Sequence, residues 1–331
     1  MQPSSLGTQP IGGVARVLED VYQIKLPAPF PLKFIASYLI EGKDGWTVID
    51  PGFDYPDARE ARGEGVRGIG LDLDRDVKRI VVTHLHPDHI GLARWLEERS
   101  GAPVLMLEGE VENARHVWDP NRSTESFVEF LIRNGMDAGT AEAAAGTTKL
   151  GVRLPEGLVS LHPGGTLRLG ERGARIINTP GHSDYHFILH DEDRRVLFAG
   201  DHLLLKITPN IGLWTYMAPR PLQRYMRSLE GLKGLDVDLA LPGHGPLFHD
   251  LHGRIRELLR HHEERLSAMR AQLDGGPMTP YKVARRVFSD KLSDHQLRFA
   301  LAETLAHLEH LVDEGRAERL DGDVVVRYGP S

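Results

Sequence analysis

The sequence predicts an α+β fold in which stacked β-sheets carry helices on their outer faces. Short apolar runs typical of strands occur early, at 37–40, 46–49 and 79–83, and return between 167 and 241. A segment of about 108–150, with apolar residues at helical spacing and many alanines, separates the two groups. Strands, inserted helices and strands again, joined by short Gly, Pro and Asp turns, indicate sheet layers with helices outside.

The chain length of 331 residues suits one large domain followed by a smaller one. We place a larger unit over 1–254, which includes the helical insertion, and a smaller unit over 255–331. In the smaller unit, 255–273 predicts a linking helix, on which the pair His261-His262 is expected to face solvent. Two further helices and a closing hairpin follow, and helix, helix, hairpin is the order of a winged-helix domain.

The composition is that of a folded protein, with 40% hydrophobic residues and a formal net charge of −7 from 40 basic and 47 acidic side chains. Cysteine is absent, so disulfides, thiolate nucleophiles and cysteine-ligated metals are excluded. The mild acidity argues against a protein that acts mainly on nucleic acid. The N-terminus has no basic segment before an apolar run, and no run could cross a bilayer, so we expect a cytoplasmic protein without a membrane partner.

The segment His84-Leu85-His86-Pro87-Asp88-His89 is the strongest indication of chemistry in the sequence. Three imidazoles and a carboxylate follow directly on a predicted buried strand, and zinc, iron and manganese all accept these ligand types. A regular helix or strand could not direct all four at one centre, whereas a loop at a strand end can divide them between two adjacent metals. The alternative is a solvated histidine-rich loop, and the strand-then-helix context weighs against it.

Four further segments place one ligand-type residue beside a glycine at the end of a predicted strand. They are Asp50-Pro51-Gly52, Pro180-Gly181-His182, Gly200-Asp201 and Pro242-Gly243-His244. Each of these alone would more often be a turn than a ligand site. Their joint occurrence with the histidine-rich loop indicates one shared metal centre.

In this order, the motifs resemble those of the metallo-β-lactamase superfamily of binuclear metallohydrolases, over about 16–250. The resemblance implies an αββα metallo-β-lactamase sandwich with the metals at the sheet edges. The implied ligands are His84, His86 and His182 for one metal, Asp88, His89 and His244 for a second, and Asp201 bridging both. Asp50 would orient a ligand without being one. The tail is similar to that of lactamase-beta-like hydrolases with a C-terminal winged helix.

The resemblance also implies a mechanism with two divalent metal ions, for which we expect zinc, with iron or manganese as alternatives. A hydroxide bridging the two metals would attack an ester, thioester or lactone carbonyl, so no Ser or Cys nucleophile is required. Asp88 is the expected proton carrier, because it would touch both the second metal and the hydroxide.

Several apolar segments are candidates for the substrate pocket. They are the Pro-rich loop 26–32, the insertion residues Trp118, Phe127 and Phe130, and the residues Trp214, Tyr216 and His202 near the bridging aspartate. For most of these, ordinary core packing is the more frequent role of such residues. An apolar pocket would favour a small-molecule acyl-type substrate over a polyanion.

Two alternative functions remain open. The first is a single-strand-specific endoribonuclease that uses the winged helix to hold RNA. Residues 278–331 carry eight basic and nine acidic side chains, however, and this balance of −1 does not favour RNA binding. Packing of the tail on the catalytic unit, or a homodimer, is the expected role, and deletion of 278–331 should affect assembly or solubility more than chemistry on a small ester. The second alternative is an iron-dependent persulfide dioxygenase on the same scaffold.

Overall fold

A computed structural model describes residues 9–29, 32–148, 151–289, 291–322 and 324–331. In this part of the chain the first sheet has seven strands in sequence order, antiparallel up to the fourth and parallel from there on. The strands are β1 Val14–Arg16, β2 Val21–Pro27, β3 Phe34–Ile40, β4 Trp46–Ile49, β5 Val77–Val81, β6 Val104–Leu107 and β7 Leu158–Leu161.

The second sheet has five described strands in the order β12-β11-β10-β9-β8 and is antiparallel except for the β11–β12 pair. Its strands are β8 Thr166–Leu169, β9 Arg172–Asn178, β10 Phe187–Asp191, β11 Val196–Gly200 and β12 Leu239–Pro242. The two sheets face each other through one apolar cluster, in which Tyr38 and Phe198 meet edge to face at 5.6 Å. The stacked sheets predicted from the sequence are therefore confirmed.

Helices cover the outer face of each sheet, which completes the four-layer αββα sandwich. On the first sheet lie α1 Pro56–Arg67, α2 Pro87–Ile90, α3 Ala93–Ser100 and α4 Glu108–Val117. On the second lie α5 Glu125–Arg133, α6 Ala138–Gly146, α7 Pro221–Gly231, α8 Leu251–Gln272, α9 Pro280–Val287 and α10 Asp294–Asp313. Helices α4, α5 and α6 form the insertion expected at about 108–150, of which 149–150 lie outside the described residues.

The tail contains the predicted order of elements. Helix α9 begins with Thr279, whose side chain accepts a hydrogen bond from the backbone of Lys282, and Pro280 occupies the first turn. Helix α10 begins with a capping box between Ser293 and Gln296. The strands β13 Glu318–Asp321 and β14 Val326–Gly329 then form a hairpin. The assignment of this unit as a winged helix stays a prediction.

One expectation for the tail is wrong, because His262 is fully buried and does not face solvent. Helix α8 packs against α7, α9 and α10, and its inward stripe contains His262 between Leu258 and Leu266. The His262 ring lies 3.1 Å from His307 of α10, measured from Nδ1 to Nε2. A long helix with many charged residues therefore still has a buried face, on which this histidine finds a polar partner.

Within the described residues, no helix has both the length and the apolar character needed to cross a membrane.

Candidate metal centre

The carboxyl ends of strands from both sheets meet at one edge of the sandwich and carry the predicted ligand residues. Asp50 follows β4, and Asp201 and His244 follow β11 and β12. His84 and His86 lie in the loop after β5, whereas Asp88 and His89, which were expected in the same loop, lie in the short helix α2. His182 lies in the loop after β9. The structure brings all seven predicted ligands together, since they form three overlapping groups whose ligand atoms lie within 4.8 Å of one another.

Three imidazoles form the first group. The Nδ1 atom of His86 lies 3.0 Å from Nε2 of His84 and 2.9 Å from Nε2 of His182. Burial and neighbouring imidazoles lower the pKa of His86 to about 3, and the pKa of His84 is also lowered, first by burial. These rings are therefore neutral near pH 7, with nitrogen lone pairs directed at one point.

The second group consists of Asp88, His89 and His244. The Oδ2 atom of Asp88 lies 3.1 Å from Nε2 of His244 and 4.0 Å from Nε2 of His89. Although burial lowers the pKa of His89, the carboxylates of Asp201, Asp50 and Asp88 outweigh it and raise this pKa. The concentration of negative charge around His89 favours a cation at this position.

Asp201 lies between the two groups. Its Oδ2 atom is 3.6 Å from Nε2 of His182 in the first group, and 3.4 and 3.5 Å from Nε2 of His89 and His244 in the second. This is the placement that a ligand shared by two ions requires.

The outer nitrogens of the imidazoles are held by neighbouring oxygen atoms. His182 Nδ1 donates to the carbonyl of Asn210, and His244 Nδ1 to the carbonyl of Phe34, each at 2.9 Å. His84 Nδ1 lies 3.0 Å from Thr83 Oγ1. These bonds fix the orientation of the three rings and direct each Nε2 inward, as metal-binding histidines require.

Asp50 holds the histidine-rich loop from behind. Its carboxylate accepts hydrogen bonds from the backbone and the hydroxyl of Thr83, at 2.8 and 2.9 Å, and lies 2.9 Å from Nδ1 of His89. Asp50 also adopts a left-handed backbone conformation with φ of 50°. These contacts suit the predicted role of Asp50 as a residue that orients a ligand.

Gly243 allows the two sheets to approach each other at the cluster. A Cβ atom at this position would lie 2.5 Å from Oδ1 of Asp201 and 2.8 Å from Cε1 of His89. Only glycine fits this spacing, which explains the glycine before His244.

The donor set of the cluster fits divalent metal ions. Nε2 of His89 and Oδ1 of Asp201 are buried and have no hydrogen-bond partner among the described residues. Buried polar atoms normally have partners, and imidazole nitrogens with carboxylate oxygens are what zinc, iron or manganese bind. His84, His86 and His182 could hold one ion, Asp88, His89 and His244 another, and Asp201 could contact both.

Comparison with known proteins agrees with this geometry. Residues 31–244 match the sequence model of the metallo-beta-lactamase superfamily. The chain belongs to this superfamily. Residues 266–331 match a second family model, described as the C-terminal domain of metallo-beta-lactamase-like proteins.

Individual relatives resemble this metallo-β-lactamase superfamily member along nearly its whole length. The probable metallo-hydrolase YqjP of Bacillus subtilis is 28% identical over 319 residues, covering 89% of this chain and 93% of that protein. A metallo-beta-lactamase family protein from Thermus thermophilus is 35% identical with a TM-score of 0.86, covering 96% of this chain and 100% of the other. A beta-lactamase domain protein from Burkholderia ambifaria is 30% identical with a TM-score of 0.88, covering 99% and 97%. This superfamily member is a metal-dependent hydrolase.

A cavity of about 860 Å³ opens in front of the cluster, and its surface is mainly apolar although polar and charged side chains also line it. His86, Asp88, His182 and Asp201 form part of its floor. Of the candidate substrate contacts, those that line it are Trp118, Phe127, Trp214 and Tyr216. Leu32 of the Pro-rich loop also reaches the cavity, whereas Phe30 and Pro31 lie outside the described residues.

Two candidates are placed elsewhere. His202 is fully buried and is not among the residues that line the cavity, because its ring packs between His186 and Tyr225, with centroids at 5.9 and 5.0 Å. Phe130 does not line the cavity; it stacks on Phe127 and packs, partly buried, against the core.

Part of the cavity wall comes from the tail and was not predicted from the sequence. His295, Gln296, Arg298 and Phe299, all in the first turns of α10, line the cavity. The one local signal was a basic residue, Arg298, directly after the apolar Leu297 in the predicted helix. The contact itself could not be read from the sequence, because it joins segments far apart in the chain.

Proposed function

We propose that this chain is a binuclear hydrolase, with zinc as the expected metal, that cleaves esters, thioesters or lactones of small molecules. The position of Asp201 carries this proposal, since its Oδ2 lies within 3.6 Å of ligand nitrogens from both groups. The apolar cavity in front of the cluster supports an acyl-type substrate.

Two divalent ions held by the seven residues would supply Lewis acidity and lower the pKa of a water molecule toward neutrality. In the hydrolysis, water adds to the carbonyl carbon, the carbon–sulfur or carbon–oxygen ester bond breaks, and a carboxylic acid and a thiol or alcohol are released.

Asp88 is the side chain best placed to move the proton from the water to the leaving group. It lines the cavity, and its side chain is 13% exposed, against 8% for Asp201. Burial disfavours its charged form, but His89 and His244 outweigh burial and lower its pKa to about 2. The carboxylate is therefore ionised near pH 7 and can accept a proton on the cavity side.

The walls provide the binding surface for an acyl chain. Trp118 is held with its indole nitrogen donating to the carbonyl of Leu85, at 2.8 Å, next to the histidine-rich loop. Phe127 and Trp214 pack against each other, with ring centroids 6.2 Å apart. Such a rigid aromatic wall excludes water from the carbonyl and positions it over the cluster.

Metal analysis and a substrate screen test the proposal together. We expect about two divalent ions per purified chain, and hydrolysis of at least one member of a panel of esters, thioesters, lactones and β-lactams. Chelation should abolish the activity, and restoring zinc should recover it.

Two outcomes would replace the proposal. Cleavage of single-stranded RNA, with no turnover of the acyl panel, would establish the ribonuclease alternative. Iron in the protein together with oxygen uptake on a persulfide would establish the dioxygenase alternative.

A further inference from the structure

Arg298 is a buried cation on the wall of the cavity. Its side chain lies in the second turn of α10, and the residue is 9% exposed. Burial lowers its pKa to about 10, so the guanidinium is still charged near pH 7. No carboxylate among the residues that the structure describes lies within ion-pair distance of it.

The partners of Arg298 are all uncharged. Its Nε donates to Thr147 Oγ1 at 3.1 Å, and its Nη2 lies 3.3 Å from Nδ1 of His295. The guanidinium also lies 4.2 Å from the ring centroid of Phe299 and 5.7 Å from that of Trp214. An arginine has five N–H groups, and these two hydrogen bonds leave most of them unused.

Structural stability alone does not explain this arrangement. Burying a charge without an opposite charge is unfavourable, and cation–π contacts with two rings offset only part of that cost. A residue that only joined the tail to the insertion could be apolar, as Leu297 beside it is. A charged group kept at a cavity wall at such a cost is typical of a ligand-binding residue.

A second arginine contacts the loop that carries Trp214 and Tyr216. Arg122, in the connection between α4 and α5, lines the cavity, and its Nη2 lies 3.4 Å from Thr215 Oγ1. Its guanidinium lies 5.8 Å from the ring centroid of Tyr216. The loop therefore places Trp214 against the guanidinium of Arg298 and Tyr216 against that of Arg122. Like Arg298, Arg122 has no ion-pair partner within the described ranges.

The remaining charges of the wall leave this region positive. Arg153 also lines the cavity but is paired with Glu98, at 3.1 Å. Apart from Asp88 and Asp201 of the cluster, Asp119 is the carboxylate that lines the cavity among the described residues. Two arginines thus face one aspartate outside the metal centre.

We propose that Arg298, assisted by Arg122, binds an anionic group of the substrate, a carboxylate or a phosphate, at a distance from the bond that is cleaved. This inference rests on the proposed hydrolase function and narrows its substrate class. A carboxylate at the far end of the acyl chain and a phosphate on the leaving group both present oxygens that a guanidinium can bind through two hydrogen bonds.

Matched thioesters test the proposal and show whether the anionic group is a carboxylate on the acyl chain or a phosphate on the leaving group. Succinyl, glutaryl and adipoyl monothioesters of N-acetylcysteamine are compared with butyryl, pentanoyl and hexanoyl thioesters, which replace the carboxylate by a methyl group. Phosphopantetheine thioesters are compared with pantetheine thioesters in the same way. The proteins are the metal-loaded wild type, R298Q, R298K and R122Q, with R153Q as a control at the same wall.

We expect wild type to prefer one anionic series in kcat/KM. R298Q should lose about 30-fold or more on that series, since removal of one partner of a buried charge pair has an effect of this size. R298Q should lose much less activity on the neutral series than on the anionic series. R298K should retain part of the preference, R122Q should reduce it less, and R153Q should not change it. Equal losses on the neutral and anionic series would overturn the proposal.

A binding measurement separates this proposal from the proposed function. Calorimetric titration with adipate monoamide and with inorganic phosphate compares wild type, R122Q and R298Q, all metal-loaded. Binding of the anion to the metals contributes equally in all three proteins. A weaker affinity in a variant therefore measures the contribution of the replaced arginine. If no thioester is hydrolysed but this difference is present, the hydrolase function fails and the anion site stands. Equal affinities, or RNA cleavage that depends on Arg298, would refute a small anionic substrate.

R298Q could fail to fold, because Arg298 contacts Thr147 and the core of the tail. R122Q then carries the test, since Arg122 is only partly buried and its loss should leave the fold intact. An R122Q protein with unchanged anion affinity and unchanged substrate preference would count against the proposal.

Discussion

Glu303 of α10 accepts a hydrogen bond of 2.9 Å from the side chain of Asn210, 93 positions earlier in the chain. The backbone carbonyl of the same asparagine accepts the Nδ1 hydrogen of His182, also at 2.9 Å. A residue of the tail therefore holds the loop that orients a predicted metal ligand. The tail takes part in the construction of the metal centre as well as in that of the cavity wall.

Replacement of Glu303 by leucine should weaken metal binding. Without the acceptor, Asn210 loses its anchor and His182 its fixed orientation, and loss of such outer contacts lowers metal affinity by about 10- to 100-fold. Competition with a chromogenic zinc chelator measures the change. The control is E303Q, whose amide oxygen can still accept the bond from Asn210 and which should bind zinc nearly as wild type does. Equal affinity of E303L and wild type would exclude this role of Glu303.

Glu303 should also make stability depend on pH. Burial raises its pKa from an ordinary 4.5 to about 7. Between these values the folded protein keeps the proton and the unfolded chain has lost it, so the free energy of unfolding falls as pH rises, by about 3 kcal/mol at most. Urea denaturation between about pH 5 and 8 measures this slope.

In E303Q this part of the slope should disappear. Burial also raises the pKa of Glu110 to about 7, but Glu110 is present in both proteins, so the difference between the two curves isolates Glu303. Parallel curves for wild type and E303Q would contradict the prediction.

Asp88→Asn should leave the fold intact and reduce kcat by about 100- to 10,000-fold, because the amide cannot accept the proton. Near-ultraviolet circular dichroism checks the fold, and steady-state kinetics on a hydrolysed ester or thioester checks turnover. Metal content is measured in parallel, because Asp88 is also a predicted ligand. Wild-type turnover by a fully metal-loaded D88N protein would remove Asp88 from its role as proton carrier.

Asp50→Asn should weaken metal binding by the second group, which contains His89, more than by the first group, which contains three histidines. The carboxylate contacts His89 and Thr83, and an amide cannot reproduce all three of these contacts, so one metal should bind about 10- to 100-fold more weakly. Stepwise zinc titration distinguishes the two ions. D50E is the conservative control, and simultaneous weakening of both ions to the same extent would not fit this assignment.

Deletion of 278–331 should prevent stable folding of the remaining chain. The sequence predicts an effect on assembly or solubility more than on chemistry, and the packing of the tail predicts a larger effect on folding. Leu297, Leu301 and Leu305 of the deleted part share one apolar cluster with Phe127 and Tyr225, so their loss exposes a large apolar surface. Soluble expression and thermal unfolding provide the check, and a deleted protein with wild-type stability and turnover would be incompatible with this packing.

The sequence was sufficient for the stacked layers and for the ligand-type residues that meet at the centre, because these depend on short motifs, but β1, β2 and β7 were not predicted. A histidine-rich loop after a β-branched strand can be recognised within ten positions, and the glycines beside His182 and His244 mark the strand ends. Contacts between distant segments could not be derived in this way. His262 lies in a charged helix, and only its packing on α10 shows that it is buried.

Substrate contacts were the least predictable part for the same reason. His202 directly follows a predicted ligand and was therefore a reasonable candidate, but the chain turns its ring toward Tyr225 and away from the cavity. Arg298 lies 97 positions after Asp201, and no local pattern connects the two. Which residues line the cavity depends on how the tail packs against the rest of the chain. That packing is a property of the whole fold.

The cavity wall and the metal cluster are supplied by different stretches of the chain. Segments 117–127, 204–216 and 295–299 supply much of the wall, while the predicted ligands lie at strand ends outside all three. Transplanting these three segments from one relative to another, with Asn210 retained as the partner of His182, should therefore exchange what is recognised while preserving the reaction that is performed. The architecture separates recognition from reactivity, so selectivity in such hydrolases can diversify without rebuilding the catalytic core.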